Sequence, residues 1–477
     1  MITSDEMAVV DANAAALGVP RKQLMESSGN AVARAVRERA DPGDAVALVC
    51  GRGNNGGDAF VTARFLSEYD VTVHLLGRAA AIGTDIAREN YEALQAAELH
   101  TREVTDASAL SLGDAAIVVD AMLGTGVTGA LREPEATAAE AVNATDATVV
   151  AVDVPSGVDA DTGDADGVAV EADHVVTFHD AKPGLADLEA TVTVADIGIP
   201  AAAELFVERG DLRRLSRDPT AHKGEFGTVR VIGGGPYTGA PALSAQAALR
   251  AGADLATVTC PDSVAAEVQG YSENLIVDAL PGDRLGPAHV ETLLTAAGEA
   301  DCVVLGPGLG DHDDTLEAVR AFLAAFDGTA VVDADALQVV PAVETEATLV
   351  CTPHQGELRA MGGETADDPA ERADRVATFA DDLGATLLVK GAQDVITDGA
   401  TTRRNRTGNP GMTVGGTGDV LAGVCGAMAC SLDPPDAAAV AAYANGRAGE
   451  LVVEEYGHGL TATDLLDAVP RALWPDG

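Results

Sequence analysis

The segment Thr407-Gly408-Asn409-Pro410-Gly411-Met412-Thr413-Val414-Gly415-Gly416-Thr417-Gly418-Asp419 carries five glycines ahead of an Asp and an apolar stretch, Val420 to Met428. Glycines, lacking a Cβ, let backbone N–H groups crowd an anion, and a helix starting there adds its positive dipole end. Asp419, at the edge of such a pocket, is placed to take a proton from an incoming hydroxyl. The layout is that of phosphoryl transfer to an alcohol.

A second constellation lies near the N-terminus. The run Ala45–Cys50 leads into Gly51-Arg52-Gly53-Asn54-Asn55-Gly56-Gly57-Asp58-Ala59. A strand, a Gly-rich turn and a helix form the general dinucleotide-binding arrangement. The spacing differs from G-x-G-x-x-G, and two asparagines sit where phosphate or sugar would approach. An Asn side chain can donate to phosphate or offer its carbonyl oxygen to a cation. Two further strand ends carry acceptors: Asp120, followed by a loop to Ala130, and Asp153 with Ser156. In open parallel sheets ligands sit outside the carboxyl ends of the strands. Asn55, Asp120 and Ser156 could share one all-oxygen cation there, with Asp153 facing a substrate proton. Taken singly, each Asp also suits a cap or a turn.

The C-terminal half has more Gly-rich strand ends. His222-Lys223-Gly224 precedes a strand ending in Gly233-Gly234-Gly235, and Tyr237-Thr238-Gly239-Ala240-Pro241 opens a helix. Leu305-Gly306-Pro307-Gly308 and Thr352-Pro353-His354-Gln355-Gly356-Glu357 follow, then Lys390-Gly391-Ala392-Gln393-Asp394. A lone His is usually structural, but His354 comes directly after a strand, in a loop with Gly and Pro. The chain has four lysines, and three of them, Lys182, Lys223 and Lys390, fall inside these motifs. That concentration favours function for them over surface solubility.

The elements that must position these groups alternate. Ala45–Cys50, Val71–Leu76, Ala115–Asp120, Thr148–Val154, His174–Phe178 and Thr191–Val194 read as buried strands, with helices at Ala59–Tyr69 and Ile86–Ala97. Residues 1–39 read as a helical lead-in interrupted at Pro20. In the second half Thr228–Ile232, Leu255–Thr259, Cys302–Leu305, Ala330–Asp333, Thr348–Cys351 and Thr386–Val389 read as strands. Val395–Thr397 and Thr401–Arg404 read as a hairpin around Asp398-Gly399. Helices are expected at Pro241–Ala251, Thr315–Ala325, Ala370–Asp382, Gly418–Cys430, Ala437–Glu455 and Thr463–Ala472. The pattern predicts an α/β chain of two domains, 1–214 and 215–477.

Composition narrows the partners. The 477 residues carry a net charge of −45 with 47% hydrophobic content. Acidity spread along the chain, with little Lys, suits a cytosol rich in salt, where screening tames self-repulsion. It argues against nucleic acid or an anionic membrane as partner. Six cysteines form no C-x-x-C pair or disulfide framework and read as buried free thiols. The N-terminus lacks the basic and apolar regions of a signal peptide, and no run approaches the ~20 residues that span a bilayer. A cytoplasmic homo-oligomer acting on small molecules is expected.

Gly53–Asp58, Asp120-Ala121-Met122-Leu123-Gly124-Thr125-Gly126 and Asp153-Val154-Pro155-Ser156-Gly157 resemble the NAD(P)H-hydrate epimerase family, with a Rossmann-like doubly wound sheet, over nearly all of residues 1–210. The resemblance implies that Asn54, Asn55, Gly56, Gly57 and Asp58, the loop Gly124, Thr125, Gly126, Val127, Thr128, Gly129 and Ala130, and Asp153 contact the hydrated dinucleotide. It implies potassium on Asn55, Asp120 and Ser156, catalysis by Asp153, and a supporting role for Lys182. Ala59 stands where that family usually has Gly. Residues from about His222 to Leu465 resemble the ADP/ATP-dependent NAD(P)H-hydrate dehydratase family, of ribokinase-like fold. By that resemblance Ala240, Gly308, His354 and Asp419 contact the hydrate, with Asp419 catalytic, while Lys390, Gly391, Ala392, Gln393, Asp394 and Gly418 contact the nucleotide. Gln355 stands where that family usually has Pro. Magnesium with ADP or ATP is expected, the donor left open between the two. The combined expectation is epimerisation of R- and S-NAD(P)H hydrate, then nucleotide-dependent dehydration of the S epimer. A vitamin-type small-molecule kinase with an N-terminal nucleotide-binding module is the alternative, and a non-catalytic N-terminal scaffold a second one.

Overall fold

The computed structural model describes residues 1–474. The chain divides into two compact units, Met1–Ala203 and Glu204–Gly477.

The first unit opens with helices α1 (Ser4–Ala16) and α2 (Arg21–Arg37). Strand β1 (Ala45–Cys50) is followed by α3 (Asn54–Phe65), β2 (Asp70–Leu76), α4 (Asp85–Ala96), β3 (His100–Val104), β4 (Ile117–Ala121), α5 (Glu135–Asn143), β5 (Thr148–Val152), β6 (His174–Phe178) and β7 (Thr191–Ala195). The seven strands are parallel throughout, in the order β3-β2-β1-β4-β5-β6-β7. The order reverses between β1 and β4, so a crevice opens there at the carboxyl ends. Strand β1 is apolar along its length because both faces are covered. Val32, Phe60 and Leu48 pack on one face, and Val118, Met122 and Val142 on the other.

A short helix α6 (Ala202–Leu205) lies at the junction. The second unit runs β8 (Thr228–Ile232), α7 (Gly239–Ala251), β9 (Leu255–Pro261), α8 (Asp262–Gln269), β10 (Ile276–Leu280), α9 (Val290–Ala297), β11 (Cys302–Leu305), α10 (Asp313–Leu323), β12 (Thr329–Val332), β13 (Thr348–Cys351), α11 (Gln355–Ala360), α12 (Pro369–Leu383), β14 (Thr386–Val389), β15 (Asp394–Thr397), β16 (Thr402–Asn405), α13 (Thr417–Met428), α14 (Pro434–Tyr456) and α15 (Ala462–Leu473). Its nine-stranded sheet is parallel from β10 to β14, with β15 and β16 added antiparallel as the expected hairpin. Helices α7, α13, α14 and α15 bury one face; α9, α10 and α12 bury the other.

Several expectations need correction. Helix α3 begins at Asn54 rather than Ala59, so the asparagines are its first turn and not a preceding loop. Strands β3 and β10 did not stand out in the sequence. Both are sheet edges: β3 is mostly polar and exposed, and the apolar run of β10 is interrupted at Asp278. The units divide before the expected 214/215 border, because residues after Ala203 belong to the second sheet. Val207 N–H donates to Arg404 O at 2.9 Å, and the Arg403 guanidinium reaches Phe206 O at 2.9 Å and pairs with the buried Asp211. All six cysteines are free and five are buried. No helix among the described residues is long and apolar enough to cross a membrane.

Helix α13 passes so close to α7 that a Cβ on Gly423 would overlap Ser244 O. Gly423→Ala should therefore force the two helices apart and destabilise the second unit by about 2 kcal/mol, the cost typical of overpacking. Denaturant unfolding in concentrated potassium chloride checks this; an unchanged midpoint would refute the contact.

Candidate active sites

In the first unit the carboxyl ends of β1, β4 and β5 converge. A Cβ on Gly51 would overlap Met122 O, and one on Gly56 would overlap Gly51 O. Only glycine lets these backbones meet, which fixes the entry of α3 against the end of β4. Asp120 is fully buried. Its carboxylate accepts from Ser156 Oγ at 2.7 Å, Ser156 N at 2.8 Å and Met122 N at 3.2 Å. Burial pushes its pKa up to about 6, against the pull of these hydrogen bonds. Ser156 Oγ also lies 3.3 Å from Leu123 O, which accepts from Asn55 Nδ2 at 2.9 Å. Asn55, Asp120 and Ser156 are thus brought together, with the Leu123 carbonyl joining them. The donor set is oxygen-rich and holds a buried carboxylate with no ion pair among the described residues, which suits a hard monovalent cation.

Asp153 adopts a left-handed conformation, φ 68°, just after β5. Thr177 Oγ1 donates to its carboxylate at 3.0 Å, and the buried Lys182 ammonium sits at 3.2 Å. Lys182 also donates to Phe178 O at 2.8 Å. A positive φ in a non-glycine residue is strained and is held here by that ion pair and the sheet. Asp58, one turn into α3, is driven well above the carboxylate range by burial and by the nearby Asp153 and Asp11. Burial, with Asp153 adding to it, also raises Asp11 against the pull of Arg21. Asp11, from α1, has no motif around it and was not singled out in the sequence. Asn54 is exposed and accepts from Thr84 Oγ1 at 2.8 Å, while Gly57 packs on Met25. Gly124 packs against the Asn55 side chain, and the loop continues through residues 125–130 with Val127 exposed.

In the second unit a cleft of about 680 Å³ is lined by Ala240, Gly308, Gly416, Glu357 and Asp419, among others. Three expected hydrate contacts, Ala240, Gly308 and Asp419, therefore share one cavity. Asp419 lies in the first turn of α13. Burial and the neighbouring Asp333 push its pKa up to about 7, against the pull of Lys390. Lys390 Nζ is 3.0 Å from Asp333 Oδ1 and 3.9 Å from Glu357 Oε2. Burial alone would lower this ammonium, but Asp333, Glu357 and Asp419 hold it above the ordinary lysine value. Thr352 Oγ1 donates to Asp333 at 2.8 Å. A Cβ on Gly418 would lie 3.3 Å from Lys390 Nζ, so the helix entry and the ammonium face each other.

His354 caps α11: its Nδ1 accepts from Gly356 N at 2.9 Å and Glu357 N at 3.1 Å. That holds Glu357 on the cleft while leaving the imidazole largely exposed. Asp394 accepts from Gly391 N at 2.9 Å and Asn405 Nδ2 at 2.9 Å, closing the turn that contains Ala392 and Gln393. Burial pushes Asp394 up to about 6. The Gly-rich segment is only partly open to an anion. Gly408 N–H already donates to Glu450 Oε1 at 3.1 Å and Gly411 N–H to Asn409 Oδ1 at 2.9 Å. The anion-facing stretch is thereby narrowed to the α13 entry, residues 415–419, whose first-turn amides have no intrahelical partner. Asp333 and Glu357 had no assigned role in the sequence reading. Asp333 had a usable signal, since it ends an apolar strand as Asp120 does.

Comparison with known proteins covers both units. Residues 21–184 match the family model of the YjeF-related protein N-terminus, and residues 229–471 match that of NAD(P)H-hydrate dehydratase. The bifunctional NAD(P)H-hydrate repair enzyme of Methanothermobacter thermautotrophicus is 43% identical, over 98% of this chain and 95% of that protein. Among solved structures, the ADP/ATP-dependent NAD(P)H-hydrate dehydratase of Bacillus subtilis, crystallised with ATP and magnesium, is 28% identical with a TM-score of 0.50, covering 57% of this chain and 98% of that one. A ribokinase-like superfamily protein of Enterococcus faecalis, 24% identical with a TM-score of 0.50 over 57% of this chain and 95% of that one, shows the same fold. With relatives this similar along its whole length, the chain belongs to the bifunctional NAD(P)H-hydrate repair enzyme family.

Proposed function

We propose that the chain repairs hydrated NADH and NADPH. The first unit interconverts the R and S epimers, and the second dehydrates the S epimer using ADP or ATP. The observation that carries this reading is Asp419: a carboxylate tuned to about 7, beside Lys390, at the entry of a helix whose amides face the same cleft.

In the second unit Asp419 takes the proton of the hydrate's C6 hydroxyl. The freed oxygen attacks the terminal phosphoryl group of the nucleotide, whose bond to its bridging oxygen breaks. The α13 entry amides and Lys390 stabilise the transferring charge. The ring nitrogen lone pair then expels phosphate from C6, and loss of a proton at C5 restores the ring double bond. Phosphate leaves far more readily than hydroxide, which accounts for the nucleotide. Lys390 and the Gly391–Asp394 turn would hold that nucleotide, and Ala240, Gly308 and Glu357 would border the hydrate. Magnesium would arrive on the nucleotide phosphates and supply further positive charge there.

In the first unit Asp153 takes the hydroxyl proton and passes it to N1 as the C6–N1 bond opens to an aldehyde and an amine; reclosure on the other face, with the proton carried back to oxygen, gives the other epimer. No electrons or groups are exchanged. Lys182 and Thr177 hold the Asp153 carboxylate in place. Potassium on Asn55, Asp120 and Ser156 would supply positive charge against the substrate phosphates. The Asn54–Asp58 turn and the 124–130 loop would bind the dinucleotide.

Three outcomes are expected. Asp419→Asn should lower phosphate release from the S hydrate by about 10²–10⁴-fold, the range of a general base, while chiral chromatography still shows R/S exchange. A stable phosphorylated product in the parent enzyme, with no reduced nicotinamide absorbance, would instead identify a small-molecule kinase.

Dehydration should rise with pH through about 7, because Asp419 must be deprotonated to accept the proton. Asp333→Asn removes a negative neighbour, so that limb should move to lower pH. A limb fixed in place would discount Asp333 as the tuning group.

Asp120→Ala should flatten the dependence of epimerisation on potassium, measured with sodium replacing potassium at constant ionic strength. An unaltered dependence would remove the shared-cation role.

A further inference from the structure

The second unit has another cavity, of about 780 Å³, sharing no lining residue with the Asp419 cleft. Its walls carry four guanidinium groups, from Arg209, Arg406, Arg447 and Arg471, against two carboxylates, Glu208 and Glu450. The chain as a whole has 75 acidic and 30 basic residues, so an excess of positive groups in one cavity runs against its composition.

Each carboxylate engages one guanidinium, Arg209 has a partner of its own, and Arg471 remains. Arg406 Nη2 lies 2.6 Å from Glu208 Oε1, and Arg447 Nη1 lies 2.7 Å from Glu450 Oε2. Arg471 makes no ion pair or hydrogen bond through its guanidinium among the described residues. Tyr443 and Trp474 add aromatic surface. Guanidinium forks match phosphoryl oxygens two at a time, and the volume suits a ligand of nucleotide size.

The cavity also touches the Gly-rich segment from behind. Thr407, its first residue, lines the wall, and Thr407 Oγ1 donates to Tyr443 O at 3.1 Å. Glu450 bridges the two features: Oε2 holds Arg447, while Oε1 accepts from Gly408 N at 3.1 Å. A phosphoryl group that engages Arg447 competes with Glu450 for it, and so changes the carboxylate that anchors Gly408.

The geometry points to an effector site here for a polyphosphate-bearing ligand, distinct from the catalytic nucleotide site and coupled to it through Glu450 and Gly408. Trp474 is the chain's single tryptophan, so its fluorescence reports on this cavity directly. The test titrates the full chain with inorganic pyrophosphate and, separately, with ADP, each at constant ionic strength in potassium chloride. A saturable change is expected, weakened at least tenfold in Arg471→Ala and in Arg447→Ala. A tighter response to ADP than to pyrophosphate would assign the aromatic wall to a base. A response that does not saturate, or one that Arg471→Ala leaves unchanged, would overturn the site. This arm does not depend on the proposed activity. For the coupling, saturating pyrophosphate should shift the nucleotide KM in the parent protein more than in Arg471→Ala, because competition at the catalytic cleft is common to both. An identical shift in the two would overturn the coupling.

Discussion

One ammonium organises the second unit's site. Lys390 lies among Asp333, Glu357 and Asp419, and without it three carboxylates could not gather in a half-buried cleft without one or more taking up a proton. Its place is set by backbone, not by side-chain reach. Lys390 N–H donates to Pro353 O at 2.9 Å, tying the end of β14 to the segment after β13, where His354 caps α11 and holds Glu357. Removing one partner of such a buried pair strands the other, so ammonium and carboxylates are interdependent. The proton affinity of Asp419 belongs to this group of charges rather than to the aspartate alone.

The first unit answers the same problem in two ways. Asp153 has its own buried lysine, Lys182. Asp120, which is more deeply buried, has none and relies on the Ser156 hydroxyl and two backbone amides, which do not overcome its burial. The chain bears −45, yet two of its four lysines are sunk into these sites. Its substrates are anions and meet a repulsive surface. That long-range field decays within about 10 Å in moderate salt, while a buried ammonium and aligned amides act at contact with little screening. Positive charge is therefore most effective where this chain concentrates it, under the strand ends.

Much of this could be read from residue order. Apolar runs located the central strands, since a strand covered on both faces has no polar alternation, and the Gly-rich turns located the crevices. Edge strand β3 was hidden because its exposed face carries polar residues, and β10 because Asp278 interrupts its short apolar run. Helix α3 was placed late because two asparagines and two glycines are poor helix formers; the close approach of Gly56 to Gly51 overrides that preference. Asp333 and Glu357 acquire their importance from Lys390, which is distant in sequence, and no local pattern encodes that meeting. Nor could the sequence show that Gly408 and Gly411 amides are already engaged by Glu450 and Asn409.

The two helix entries explain why only one unit needs a nucleotide. At α3 the entry presents the Asn54, Asn55 and Asp58 side chains with an oxygen cluster behind them, while Asp153, the carboxylate proposed to move the proton, stands at the end of β5. At α13 the entry presents bare amides, Gly415 to Gly418, ahead of a single carboxylate and opposite an ammonium. That is a place for charge that appears and departs, as a transferring phosphoryl group does. Epimerisation breaks and remakes one bond with nothing lost, so a carboxylate with fixed neighbours is enough. Dehydration must expel oxygen from carbon, and hydroxide is too poor a leaving group at neutral pH. The two units thus differ in what a helix entry offers an anion: asparagine side chains at α3, glycine backbone amides at α13.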